Sequence, residues 1–471
     1  MRIHPRRAVT LGIVICTVLV ILFNLYYMDE WKPGVQQRPW GSDFDQGKPL
    51  KQVLQPFHEH VIREDIDANN HKGGDDKAEP PKHRSHFQIA NYTYGEKYGE
   101  FTSKECGGRL GDCIKDHHIR DPNPPIWPAD VPNGDRIVTQ LGLVPDSVRR
   151  PAAERPIKKI IAYNGLGNWA KRGRQTLIDQ NCPVTECDIS DDRSKAAQAD
   201  ALLFQHSLAQ PFHKRPPGQI WAVYFLESPY HTPGLTRFAN QFNWTSTYRH
   251  DSDIVAPYEK FVPYNVSQLT KPQNKNYAAG KTKKVAWFVS NCGARNNRKQ
   301  YAEELGKYIE VDIYGSCGVK KCPRSQSGKC FDMLDNDYKF YLSFENSNCR
   351  DYITEKFYVN GLGHNVIPIV MGAHPDDYKR VGPPRSFIHV DEFANPEALA
   401  KYLHKLDQDD NLYNEYFQWK GTGEFINTYW WCRMCSMVHA VDSEYYKPKF
   451  YSDVEKWWRG PDVCIGSGKW I

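Results

Sequence analysis

The sequence lacks a strong charge of either sign: 61 Lys and Arg against 56 Asp and Glu in 471 residues leave a formal +5. That balance excludes a charge-driven nucleic-acid binder while permitting a local site for an anionic phosphate ligand. It also lacks the overall apolar character of a multi-span membrane protein, since the mean hydropathy is -0.67. No internal repeat is present. No histidine spacing completes Cys432-x-x-Cys435 into a zinc finger, and Asp191-Asp192 and Asp376-Asp377 lack the D-x-D spacing of a cation site. No bound metal is expected.

What is present begins with one uncharged run over residues 8–27, long enough to cross a ~30 Å hydrocarbon layer as a helix. Arg2, Arg6 and Arg7 precede it and Asp29 and Glu30 follow, so the positive-inside bias places a short tail (1–7) in the cytoplasm and the rest in the lumen. No small-x-small cleavage site follows, which favours a signal-anchor over 8–28 rather than a removed leader. Twelve of the 13 cysteines lie beyond this span: Cys106, Cys113, Cys182, Cys187, Cys292, Cys317, Cys322, Cys330, Cys349, Cys432, Cys435 and Cys464. An oxidising lumen makes them disulfide candidates, with connectivity left open. Asn91, Asn243 and Asn265 each open an N-x-[ST] sequon. The layout is that of a single-pass type II Golgi membrane enzyme or of a surface receptor.

From about residue 31 to 87 the chain is rich in Pro, Gly, Gln, Asp, Lys and His without an apolar period, which predicts a flexible stem, bounded at 29–95. Beyond it, short apolar runs alternate with helical stretches. Strands are expected at 158–163, 201–204, 220–226, 285–289, 309–314, 340–344 and 366–370, and helices at 294–308, 352–362 and 396–406. A polar stretch at 270–276 reads as a linker. The pattern predicts an α/β protein of two Rossmann-like domains facing a cleft: 96–270, a linker at 271–282, and 283–430, followed by a cysteine-containing extension at 431–471. A two-domain dehydrogenase or a binding module would give a similar alternation.

Several residues then carry candidate chemistry. Gly165-Leu166-Gly167-Asn168-Trp169-Ala170 fits a dinucleotide fingerprint, although a tight turn needs glycine with or without a phosphate. Glu227 ends an apolar strand at the edge where open α/β sheets place ligands, a suitable position for a general base. Arg298, Asn346, Tyr352, Glu355 and Lys356 crowd two strand-to-helix junctions, where cations and backbone N–H groups suit a diphosphate.

Tyr338-Lys339-Phe340-Tyr341-Leu342-Ser343-Phe344-Glu345-Asn346-Ser347, running into Asp351-Tyr352-Ile353-Thr354-Glu355-Lys356, resembles the α1,3-fucosyltransferases of glycosyltransferase family 10. Val285-Ala286-Trp287-Phe288-Val289-Ser290-Asn291, Val311-Asp312-Ile313-Tyr314-Gly315 and Ser386-Phe387-Ile388-His389-Val390-Asp391 match in family order. The resemblance implies a GT-B fold and inverting transfer of L-fucose from GDP-β-L-fucose to the 3-hydroxyl of N-acetylglucosamine (GlcNAc). It implies that Glu227 is the base, that Arg298 and Lys356 contact the diphosphate, and that Asn346, Tyr352 and Glu355 hold nucleotide and fucose, with Tyr314 in the segment near the guanosine. No cofactor is required on this reading; a divalent cation such as Mn2+ would act only as a stimulator. Cys317, Cys322, Cys330 and Cys349 and the extension after Cys435 look more like the invertebrate core enzymes, whose acceptor is the innermost GlcNAc of an N-glycan. A Lewis-type enzyme acting on antennal GlcNAc, a non-catalytic glycan-binding homologue and a nicotinamide oxidoreductase are the competing expectations. Oligomeric state is left open.

Overall fold

The computed structural model describes residues 86–87, 101–102, 123–206, 208–323, 327–443 and 446–470. The expected tail, anchor and nearly all of the stem, together with Asn91, Cys106 and Cys113, lie outside them. Among the described residues no helix is long and apolar enough to cross a membrane.

Two five-stranded parallel sheets dominate. The first runs, in spatial order, Cys187–Ser190, Lys158–Ala162, Ala201–Gln205, Ile220–Phe225 and Trp244–Thr247. The second runs Val311–Tyr314, Lys283–Phe288, Tyr338–Phe344, Ile367–Met371 and Ile388–His389. Numbered by position in the chain, each sheet has the order 2-1-3-4-5. Each therefore reverses direction between its first and third strands, the crevice where such sheets bind ligands. Three strands escaped the sequence reading because they are short or interrupted: Cys187–Ser190, Trp244–Thr247 and Ile388–His389.

The continuous apolar runs become strands because both faces are covered. Ala222 and Tyr224 face one core, while Trp221, Val223 and Phe225 face another. The first core is closed by Trp430–Ala440, an α-helix buried along its whole length. Cys432 and Cys435 lie on one of its faces and bond to Cys182 and Cys187 beside the first sheet. The second core takes Val454 and Trp458 from the following helix. Most of the segment set apart as an extension is thus built into the first sheet's packing.

Three further disulfides are Cys292–Cys317, Cys322–Cys330 and Cys349–Cys464. The Cys432-x-x-Cys435 pair offers no thiolate for zinc, and neighbouring His439 has both ring nitrogens engaged, by Ser147 Oγ at 3.1 Å and the Glu186 carbonyl at 3.0 Å. The second sheet is covered by Arg298–Leu305 and Pro396–Gln408, the latter capped by Asn395 and burying Leu399, Leu403 and Leu406. The expected helix at 352–362 is instead a turn, Glu355–Phe357, running into π-helical Tyr358–Leu362.

One expected site is corrected. Asn243 is buried, its side-chain amide donating to the Lys449 carbonyl at 2.9 Å and its oxygen accepting from Trp221 N at 2.9 Å. A glycan on that nitrogen would displace the carbonyl and expose the strand edge. Asn265 is exposed.

Candidate active site

Glu227 stands where the fully buried strand Ile220–Phe225 ends. A 3-10 turn, Pro229–His231, opens immediately after it with proline at its first position, which stops the strand and turns the chain. Ser228 is buried, and its Oγ lies 2.8 Å from Ser347 Oγ of the other sheet's loop and 3.0 Å from His231 Nδ1. Tyr352, 1% exposed, donates its hydroxyl to Glu227 Oε2 at 3.2 Å. Burial raises the Tyr352 phenol well above its ordinary pKa, so it stays a donor. No other hydrogen bond reaches Glu227 among the described residues, which leaves the carboxylate with acceptor capacity. Arg295 over the Tyr230 ring, at 5.0 Å, adds a further contact across the same seam.

The crevice of the second sheet holds the cations. Arg298 opens its helix and is buried; its Nη1 donates to the Phe344 carbonyl at 2.7 Å and its Nη2 to that of Asn291 at 3.1 Å. Carbonyl acceptors orient the guanidinium without cancelling its charge, and its Nε has no partner. Burial pushes its pKa below the ordinary arginine value.

One strand over, Glu345 is fully buried and accepts from Thr354 N at 2.8 Å and from Thr354 Oγ1 at 2.9 Å. Lys356 Nζ donates to Thr354 Oγ1 at 2.8 Å and to Glu355 Oε1 at 3.0 Å, and forms an ion pair with Glu345 Oε2 at 3.2 Å. Burial opposes the Lys356 charge, but Glu345 and Glu355 outweigh it and hold the ammonium above its ordinary pKa. Burial raises the Glu345 carboxyl, whereas at Glu355 the Lys356 charge and hydrogen bond overcome burial and lower it. Two cations against two carboxylates make a balanced cluster that a polyanion can enter only by competing with Glu345 and Glu355 for Lys356.

The structure thus brings Glu227, Tyr352, Glu355, Lys356 and Arg298 to facing strand edges, with half-buried Asn346 bonded to Ser347 Oγ at 2.9 Å. Tyr314 does not join them. Its ring packs with Leu334 and Tyr341, and its hydroxyl meets Tyr338 Oη at 2.7 Å.

The glycine loop also behaves differently from a cofactor site. Gly165 and Gly167 have φ of 99° and 54°, so glycine serves the turn, and the helix expected to follow begins only at Gln175. Gln205 Nε2 fills the crevice of the first sheet by donating to the Gly165 carbonyl at 2.7 Å.

Sequence reasoning missed Thr354, Ser228, Ser347 and Asn296. Thr354 carried a signal, a threonine just before a helix start, and its side chain caps Lys356 N. Asn296, buried, donates to the Glu345 carbonyl and to Asn348 Oδ1, both at 2.9 Å; nothing local marked it.

The chain is similar to several known proteins. A solved chain described as α1,3-fucosyltransferase with GDP-fucose aligns with a TM-score of 0.42 and 16% identity over 67% of this chain and 98% of its own. The Drosophila melanogaster glycoprotein 3-alpha-L-fucosyltransferase A is 50% identical over 82% of this chain and 75% of its own length. The human 4-galactosyl-N-acetylglucosaminide 3-alpha-L-fucosyltransferase FUT6 is 35% identical over 67% and 85%. Residues 157–259 match the family described as fucosyltransferase, N-terminal, and residues 278–457 match glycosyltransferase family 10 (fucosyltransferase) C-term. With these two matches in order along the chain and a relative 50% identical over 82% of it, the chain belongs to glycosyltransferase family 10, the fucosyltransferases.

Proposed function

We propose that the protein transfers L-fucose from GDP-β-L-fucose, with inversion, to the 3-hydroxyl of GlcNAc, the acceptor being the innermost GlcNAc of an N-glycan. The observation that carries this reading is the Glu227–Tyr352 contact. It puts an acceptor carboxylate of one sheet against the loop of the other sheet that runs into Glu355 and Lys356. Glu227 takes the proton of the attacking hydroxyl while Tyr352 fixes the carboxylate's direction. Arg298 and Lys356 neutralise the departing diphosphate. Base and phosphate grip come from opposite sheets, so a single in-line displacement through an oxocarbenium-like transition state suffices, with no covalent intermediate.

The two facing sheets are read as a GT-B architecture. The 50% identity to a glycoprotein 3-alpha-L-fucosyltransferase supports the core acceptor over the antennal one. The uncharged run at 8–27 supports a Golgi location through one N-terminal helix with the sheets in the lumen. On this reading the chemistry proceeds without a ligated cation, and Mn2+ stimulates by screening the diphosphate.

The test is to incubate the purified full-length chain with GDP-fucose and a GlcNAc-terminated N-glycopeptide and map added deoxyhexose by mass spectrometry with linkage analysis. A 3-linked fucose on the reducing-end GlcNAc is expected. Fucose on an antennal GlcNAc would overturn the acceptor, and GDP binding without transfer would favour a non-catalytic homologue.

A further inference from the structure

Residues 464–470 lie across the carboxyl edge of the second sheet and touch both flanks of Glu345. Cys464 is bonded to Cys349, and Cys464–Ile465 pairs antiparallel with Asn348–Cys349. On one flank, Asn348 Nδ2 donates to the carbonyls of Gly466 and Gly468 at 3.2 and 3.4 Å. Asn348 Oδ1 in turn accepts from Asn296, which also holds the Glu345 carbonyl. On the other flank, Trp470 Nε1 donates to the Gly372 carbonyl at 2.9 Å, and Trp470 N donates to Asp391 Oδ2 at 3.1 Å. Arg350 stacks on the Trp470 ring at 5.0 Å, and His374 meets the ring edge at 5.6 Å.

Gly372 is the link from Trp470 to the site. Its φ is 151°, and a Cβ there would come within 2.7 Å of Glu345 Cβ and Cγ. Backbone and carboxylate stem therefore leave no room for a side chain between them, and a shift of Gly372 is transmitted to Glu345. Glu345 N donates to the neighbouring Met371 carbonyl at 2.8 Å, which couples the two strand ends again. Glu345 in turn orients Thr354 and Lys356.

We infer that residues 464–470 form a strap that sets the geometry of Glu345 and hence of the donor pocket, with Trp470 as a positioning residue for nucleotide binding. The inference rests on the proposed GDP-fucose reading. A bare disulfide staple would need only Cys464; the contacts of Gly466, Gly468 and Trp470 continue past it, along the two strand ends that frame Glu345.

The test measures GDP affinity by titration calorimetry on the full-length chain, and separately KM for GDP-fucose and for the acceptor, in wild type, Trp470→Ala and Trp470→Phe. Phenylalanine keeps a ring for Arg350 while removing the indole N–H and part of the ring area. Losing that bond and the ring should weaken GDP about tenfold in Trp470→Ala, with a smaller loss in Trp470→Phe and the acceptor KM unchanged. Should the alanine variant not fold, the phenylalanine variant carries the comparison. GDP affinity within twofold of wild type in the folded variants overturns the inference while leaving the functional reading intact. A wild-type chain that binds no GDP overturns both.

Discussion

The two sheets share one strand order and put it to different uses. In the first, the crevice between first and third strands is closed by the protein's own groups: Gln205 reaches the Gly165 carbonyl, and Asn164 Oδ1 accepts from Gln205 N at 3.3 Å. Its candidate chemistry is displaced to the fourth strand, where Glu227 emerges. In the second, the same crevice holds Arg298 between the Phe344 and Asn291 carbonyls, with Glu345 and Lys356 beside it. A shared topology fixes where a ligand can sit; the side chains at the switch decide whether one does.

The sharpest break in that comparison is Glu227→Gln, which removes the proposed base on the first sheet and leaves the second sheet's cations in place. Transfer should fall by about 10²–10⁴-fold, with GDP affinity retained; near-normal turnover would take the base role away from Glu227. Arg298→Lys keeps a charge in the second crevice but cannot hold both carbonyls. A loss of about 10²-fold in kcat/KM for GDP-fucose is expected, and an unchanged value would show that the guanidinium acts on the fold alone.

A subtler asymmetry is in pH response. Lys281 lies beneath the second sheet, its ammonium donating to the carbonyls of Tyr338 at 2.8 Å and Leu334 at 3.3 Å, and burial pushes its pKa down to about 7. The unfolded chain binds this proton more tightly than the fold does. Stability should therefore rise with pH from about 7 towards the ordinary lysine value, by at most about 1.4 kcal/mol per pH unit. Urea melts at pH 7 and 9 in wild type and Lys281→Met check this, and equal slopes would remove the lysine as the source. The smallest effect is on the first crevice, where Gln205→Ala should cost about 1 kcal/mol of stability and leave GDP affinity untouched. A fall in GDP affinity would mean that the first switch point also reads the donor.

Much of this is legible in the sequence. The apolar runs gave seven of the ten main strands, and Glu227, Arg298 and Lys356 were picked out as strand-end or junction residues that do lie at facing edges. What stayed hidden is long-range. Cys182 and Cys432 are separated by 250 residues, so nothing local says that Trp430–Ala440 covers the first sheet. Asn243 reads as an open sequon until Trp244–Thr247 is seen to bury it. Tyr314 lies in the expected segment, yet its hydroxyl is taken up by Tyr338, a long-range contact that no local pattern announces.

The late helix has a consequence for how the protein is made. The first sheet's strands leave the ribosome well before Trp430–Ala440, the element that seals one of their faces. At about 5–20 residues per second, the gap is on the order of ten seconds or more. During that interval Ile160, Leu203 and Ala222 present an uncovered apolar surface, and Cys182 and Cys187 wait for partners not yet synthesised. Until that helix arrives, the half-built layer is open to aggregation and to early pairing of its cysteines with Cys292 or Cys317.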